Sequence, residues 1–118
     1  MKSYPHGNSV TDFEISLKRL GGDEKLLSTL AVFFLEDAPT LMVQLTHAYD
    51  SGDLDIVARR AHSLKGLSST FEAISFLQLA LEIETVARVG NLDNLQRLIP
   101  QFQMEFGRLV RDLRMLTP

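Results

Sequence analysis

Apolar residues recur every three or four positions through almost the whole chain, and no strand-like alternation of useful length interrupts them. That rhythm restricts the sequence to helices. The clearest run is Leu54, Val57, Ala61, Leu64, Ser68 and Phe71, an apolar or small seam along a helix from Leu54 to about Thr70. Leu95, Ile99, Phe102, Phe106, Leu109, Leu113 and Leu116 predict a long last helix from near Leu92, kinked or restarted at Pro100. Between them, a helix from about Ile74 to Val89 ends at Gly90-Asn91. Upstream, Asp23 caps a helix bearing Leu26, Leu27, Leu30, Phe33, Phe34, Met42, Leu45 and Tyr49, with a kink expected near Asp37 to Pro39. Ser51-Gly52 closes it, and Asp53 caps the next. A short first helix, N-capped by Ser9 or Thr11, puts Val10, Phe13, Leu17 and Leu20 on one stripe and stops at Gly21-Gly22. Residues 1–8 hold Pro5 and Gly7 without periodicity and read as a tail, leaving 9–118 as one all-α domain, an antiparallel helical bundle.

Composition removes several function classes. At 118 residues the chain is one domain with a core of its own. The absence of Cys excludes a disulfide framework, an iron–sulfur cluster and a cysteine-bound zinc. With 12 Lys and Arg against 15 Asp and Glu, and few aromatics, there is no basic footprint for nucleic acid. The longest apolar stretch, Leu26 to Leu35, contains Ser28 and Thr29 and falls short of the ~20 residues of a membrane span. MKSYPHGNSV lacks the apolar segment of a secretory signal, so the expectation is a soluble, cytoplasmic chain without membrane insertion.

One helix face is unusual. At about 100° per residue, Ala58, His62, Lys65, Gly66 and Ser69 cluster roughly 110–120° from the seam of the third helix. His62 therefore lies beside the seam on a partly exposed face, among neighbours that are small apart from Lys65. From Ala58 to Phe71 there are three cations, Arg59, Arg60 and Lys65, and no acid, a patch suited to an anionic group or an acidic pocket on another protein. The plainer readings are a solvated or hydrogen-bonded histidine and, for Gly66, close helix–helix packing, since a helical Gly costs ~1 kcal/mol against Ala. His6 and His47 have no metal-ligand spacing with His62, and the H-E-x-x-H, Walker, G-x-S-x-G and dinucleotide motifs are all missing.

Ala61-His62-Ser63-Leu64-Lys65-Gly66-Leu67-Ser68 resembles the A-H-[ST]-L-K-G-x-[SA] signature of histidine-containing phosphotransfer (HPt) domains. Gly22-Asp23-Glu24, the FFLEDAP segment, Ser51-Gly52-Asp53 and LEIETVARVG at Leu81 to Gly90 extend the resemblance over roughly Phe13 to Leu116. It implies a four-helix bundle with a short additional N-terminal helix packed across one end. It implies that His62 is the phosphoacceptor, taking a phosphoryl group on Nε2 from a receiver-domain aspartyl phosphate and passing it to another receiver. Lys65 matches the lysine near the phosphoryl group, and Gly66 the glycine that leaves room for docking. Glu84 stands where many members hold a Gln or Glu that orients the ring. By periodicity Glu84 follows Ile74, Leu77 and Leu81 on one stripe, and its partner is either His62 Nδ1–H, or Arg88 at i+4, or solvent. Ser69, Ala58, Arg59 and Ile15 are the remaining docking candidates.

The expected partners are receiver domains and a (hybrid) sensor histidine kinase, with the chain a monomer. No cofactor is expected, because the Mg²⁺ of such reactions belongs to the receiver's carboxylates, and no ATP-binding segment exists here. The alternatives are a non-catalytic receiver-binding adaptor and the phosphoacceptor domain of a chemotaxis-type kinase. Two departures bear on these. Leu67 stands where Ser or Ala is usual. Ser69-Thr70-Phe71-Glu72-Ala73 puts Glu72 at a junction glycine, where a positive φ would strain it, so either the turn differs or a helix runs on.

Overall fold

The computed structural model describes residues 11–118 and is helical throughout them. Five α-helices follow in order: α1 (Phe13–Arg19), α2 (Glu24–Asp50), α3 (Leu54–Ser68), α4 (Ile74–Arg88) and α5 (Leu92–Arg114), with a 3₁₀ turn (Ser69–Phe71) between α3 and α4. Each long helix packs on the next in the chain, and α5 returns to α2, so α2, α3, α4 and α5 close a ring of neighbours around one core. The short α1 packs on α2 and on the 3₁₀ turn.

Four of the helices start by one device. Asp12, Asp23, Asp53 and Asn91 each accept, through a side-chain oxygen, the backbone N–H three residues on, satisfying a donor that the first turn leaves unpaired. The cap of α1 is thus Asp12, not Thr11; the hydroxyl of Thr11 is 3.0 Å from Asp112 Oδ2 on α5 and donates to it. Ser9 and Val10, like the tail at 1–8, lie outside the described residues.

Neither proline ends its helix. Pro39 and Pro100 sit inside α2 and α5 on exposed faces, where solvent can meet the carbonyl that a proline leaves unpaired. The uninterrupted α2 is, at 27 residues, long and apolar enough to cross a membrane by length and composition, which its broken apolar runs do not suggest. Here its apolar stripe, Leu27, Ala31, Phe34, Ala38, Met42 and Leu45, is buried in the core, and it is Leu26 and Phe33 that face outward. Phe76 and Phe102 stack at 4.4 Å across α4 and α5, and Phe34 meets Phe71 edge-on at 5.9 Å, which binds the 3₁₀ turn to the core.

On α3 the predicted seam holds: Val57, Ala61, Leu64 and Ser68 are fully buried, as is Phe71 just beyond. On α4 it does not. Ile74 and Leu81 are about half exposed, and the buried stripe is Phe76, Ala80, Ile83 and Ala87. The Ile74–Leu77–Leu81 series is equally periodic but flanks the core, and Glu84 lies where the two stripes meet.

After Phe71 the chain turns at Glu72, with φ 53° and ψ 36°, a left-handed conformation that costs a non-glycine residue on the order of 1–2 kcal/mol. The turn expected of a glycine is therefore kept with a glutamate in it, and no helix runs on. The Glu72 side chain, 11% exposed, pairs with Arg19 of α1. Together with the hydrogen bond from Asp12 N–H to the Phe71 carbonyl (3.2 Å), this ties α1 to the junction.

Candidate functional site: an exposed imidazole on a clamped carboxylate

Because α3 has α2 on one flank and α4 on the other, each residue around it meets a different environment. Ala58, expected on the open face, is fully buried. It lies between the seam and His62, on the arc that α4 covers, and so cannot touch a partner. His62 is one step further round, and its side chain is 64% exposed. Lys65 is 30% exposed, bent toward α4. Gly66 faces open space: a Cβ added there would meet nothing within 4 Å. Helix packing is thus not the reason for this glycine.

Across from His62 stands Glu84 of α4, 9% exposed. Its carboxylate meets three side chains. His62 Nδ1 lies 3.2 Å from Oε1 and 3.1 Å from Oε2, Lys65 Nζ donates to Oε1 at 3.1 Å, and Arg88 Nη2 donates to Oε2 at 3.4 Å. Ring and Arg88, alternatives in the sequence, are both partners. The Lys65 contact is one that the spacing did not reveal, because it depends on how α3 and α4 face each other. Burial acts to raise the pKa of Glu84, but the hydrogen bonds and charges of Lys65 and His62 outweigh it and hold the carboxyl below its ordinary 4.5.

The ring's tautomer follows. An ionised carboxylate only accepts, so the shared proton belongs to Nδ1, and in the neutral ring the lone pair is on Nε2. Nε2 has no hydrogen-bond partner among the described residues. Burial of Glu84 with an open ring above it gives an oriented nucleophile on the surface.

The other candidates spread out. Arg59 is exposed and pairs with Asp55 at 3.0 Å. The Ser69 hydroxyl donates to the Gly66 carbonyl at 3.0 Å. Ile15 is 42% exposed on α1, which packs against α2 and the 3₁₀ turn. On the α2 side of His62 an open groove of 660 Å³ runs past Glu36, Asp37, Thr40 and Gln44 of α2 and Ser63 and Gly66 of α3. Sequence reading missed its α2 wall, whose polar residues carry no motif. No cluster of three or more metal-ligating side chains occurs among the described residues.

The chain belongs to the Hpt domain family, whose model matches residues 30–112 and so takes in His62, Lys65, Gly66, Glu84 and Arg88. It is similar to the crystal structure of histidine-containing phosphotransfer protein B (HptB) from Pseudomonas aeruginosa PAO1, with a TM-score of 0.81 and 26% identity over 92% of this chain and 95% of that one. No curated protein matches it.

Proposed function

We propose that the chain is a phosphorelay intermediate in which His62 Nε2 takes a phosphoryl group from the aspartyl phosphate of one receiver domain and gives it to another. In the forward step the Nε2 lone pair attacks phosphorus, an N–P bond forms, and the P–O bond to the aspartyl group breaks, its electron pair leaving on the carboxylate. No proton needs to move, because Nδ1–H stays on Glu84. Such a transfer asks little covalent work of the protein beyond position and charge. Glu84 supplies position, and Lys65, with three N–H donors one turn from His62, supplies charge. Gly66 and the groove beside it leave room for the receiver, whose own carboxylates hold the Mg²⁺. The reading takes α2 to α5 as an antiparallel four-helix bundle with α1 across one end, acting as a monomer in the cytoplasm with receivers and a sensor kinase.

The observation that carries it is the contact of His62 Nδ1 with the buried Glu84 carboxylate while the side chain stays 64% exposed. Incubation with a ³²P-labelled receiver should place acid-labile label on the protein, and His62→Gln should abolish it. Label persisting on His62→Gln would overturn the assignment. The adaptor reading drew on a disturbed junction, and Glu72 keeps the left-handed turn.

A further inference from the structure

The Glu84 carboxylate has more cations than it needs. One buried negative charge meets Lys65 on Oε1 and Arg88 on Oε2, while His62 Nδ1 sits almost equally between the two oxygens. The two cations come from opposite sides: Lys65 shares α3 with the imidazole, and Arg88 shares α4 with the glutamate, one turn further on. If the carboxylate needed only charge, either would serve.

Their difference matters when His62 is loaded, and the argument rests on the function proposed above. With Nδ1–H retained and phosphorus on Nε2, the ring carries a positive charge, for which Glu84 is the counter-charge. The phosphoryl oxygens then compete with Glu84 for Lys65. A lysine leaving Oε1 draws the carboxylate after it, away from Nδ1, unless something holds the other oxygen. We propose that Arg88 is a positioning residue for the transfer: it holds Glu84 Oε2 so that the carboxylate stays on Nδ1 when Lys65 moves from Oε1 to the phosphoryl group. Arg88 suits this role because its guanidinium starts from the same helix as Glu84 and does not travel with the reacting ring. A bare i,i+4 surface pair would make the same contact but would have no influence on the imidazole.

The test uses potassium phosphoramidate as phosphodonor, which removes any contribution from receiver docking. The Nε2 lone pair attacks phosphorus, the P–N bond of the donor breaks, and the protonated nitrogen departs as ammonia. Unphosphorylated Arg88→Ala should retain the wild-type ¹⁵N signature of His62 (protonated Nδ1, bare Nε2), because Lys65 still holds Glu84. Lys65→Met should retain it too, through Arg88. Lys65→Met/Arg88→Ala should lose it. Loading of Arg88→Ala should slow about two- to fivefold, the span of a half-exposed ion pair, and its acid limb should move to higher pH. Arg88→Lys should restore both. Arg88→Ala loading at the wild-type rate with an unmoved acid limb would overturn the proposal and leave the relay intact, as would a double variant with the wild-type ring signature. Wild type that takes no label from receiver or phosphoramidate would remove the relay reading, and this proposal with it.

Discussion

Glu84 and Glu72 both break a local rule, and both are 11% exposed at the side chain. Glu84 breaks a packing rule by putting a carboxylate on the buried edge of α4, and the offset is electrostatic: a ring N–H, a lysine and an arginine. Glu72 breaks a backbone rule by taking a left-handed conformation, and an ion pair with Arg19 does not relieve it, because the strain is in φ and not in the carboxylate. The first exception forms the site. The second fastens α1 to the junction between α3 and α4. A buried acid therefore marks function only when its partners include a group with chemistry of its own.

The widest separation between the two should come from removing each carboxylate. Glu84→Ala leaves the ring unheld and Lys65 and Arg88 without their shared acceptor, and transfer from a fixed receiver should fall about 10–100-fold, by analogy with the loss of a carboxylate that orients a metal-binding imidazole. Glu72→Ala should leave that rate unchanged. A pH series sharpens the contrast. The pKa of Glu84 lies below its unfolded value, so its contribution to stability is complete above the unfolded pKa and disappears as pH falls through the folded one. Urea midpoints of wild type and Glu84→Gln should therefore converge as pH drops below about 4.5, the ordinary value for the group. A gap that stays constant with pH would mean that folding does not lower the Glu84 pKa.

Gly66 is a third exception, with no offset inside the molecule. It sits inside α3, where glycine weakens a helix, yet a Cβ there would touch nothing. Gly66→Ala should raise stability by up to ~1 kcal/mol through helix propensity alone while slowing transfer from a receiver and leaving phosphoramidate loading unchanged. Equal effects on both donors would show that the methyl group acts on His62 itself and not on docking.

These exceptions also explain what could be read in advance. The helices, the caps at Asp23 and Asp53 and the α3 and α5 seams follow from spacing and short-range hydrogen bonding, and the sequence contains both; the caps at Asp12 and Asn91 show only in the structure. His62 beside the seam was legible for the same reason. Ala58 was not, because the width of the buried arc on α3 depends on having neighbours on both sides. The α4 stripe failed because Ile74–Leu77–Leu81 and Phe76–Ala80–Ile83 are equally periodic, and only the placement of α3 and α5 chooses between them. Lys65 on Glu84 is a contact between helices, with no trace in either helix alone.

The smallest expected effect tests whether Glu72 is tolerated for its backbone or for its side chain. Glu72→Ala keeps a Cβ in the left-handed conformation and loses the Arg19 pair, whereas Glu72→Gly loses the pair and the strain together. The difference between the two variants isolates the backbone cost, and glycine should be the more stable by about 1 kcal/mol in denaturant unfolding, less a few tenths for its greater freedom when unfolded. Arg19→Ala, which removes only an ion pair whose arginine is 63% exposed, should cost less than ~1 kcal/mol. If Glu72→Gly and Glu72→Ala are equally stable, the left-handed turn carries no strain, and the distinction between the two glutamates reduces to their partners alone.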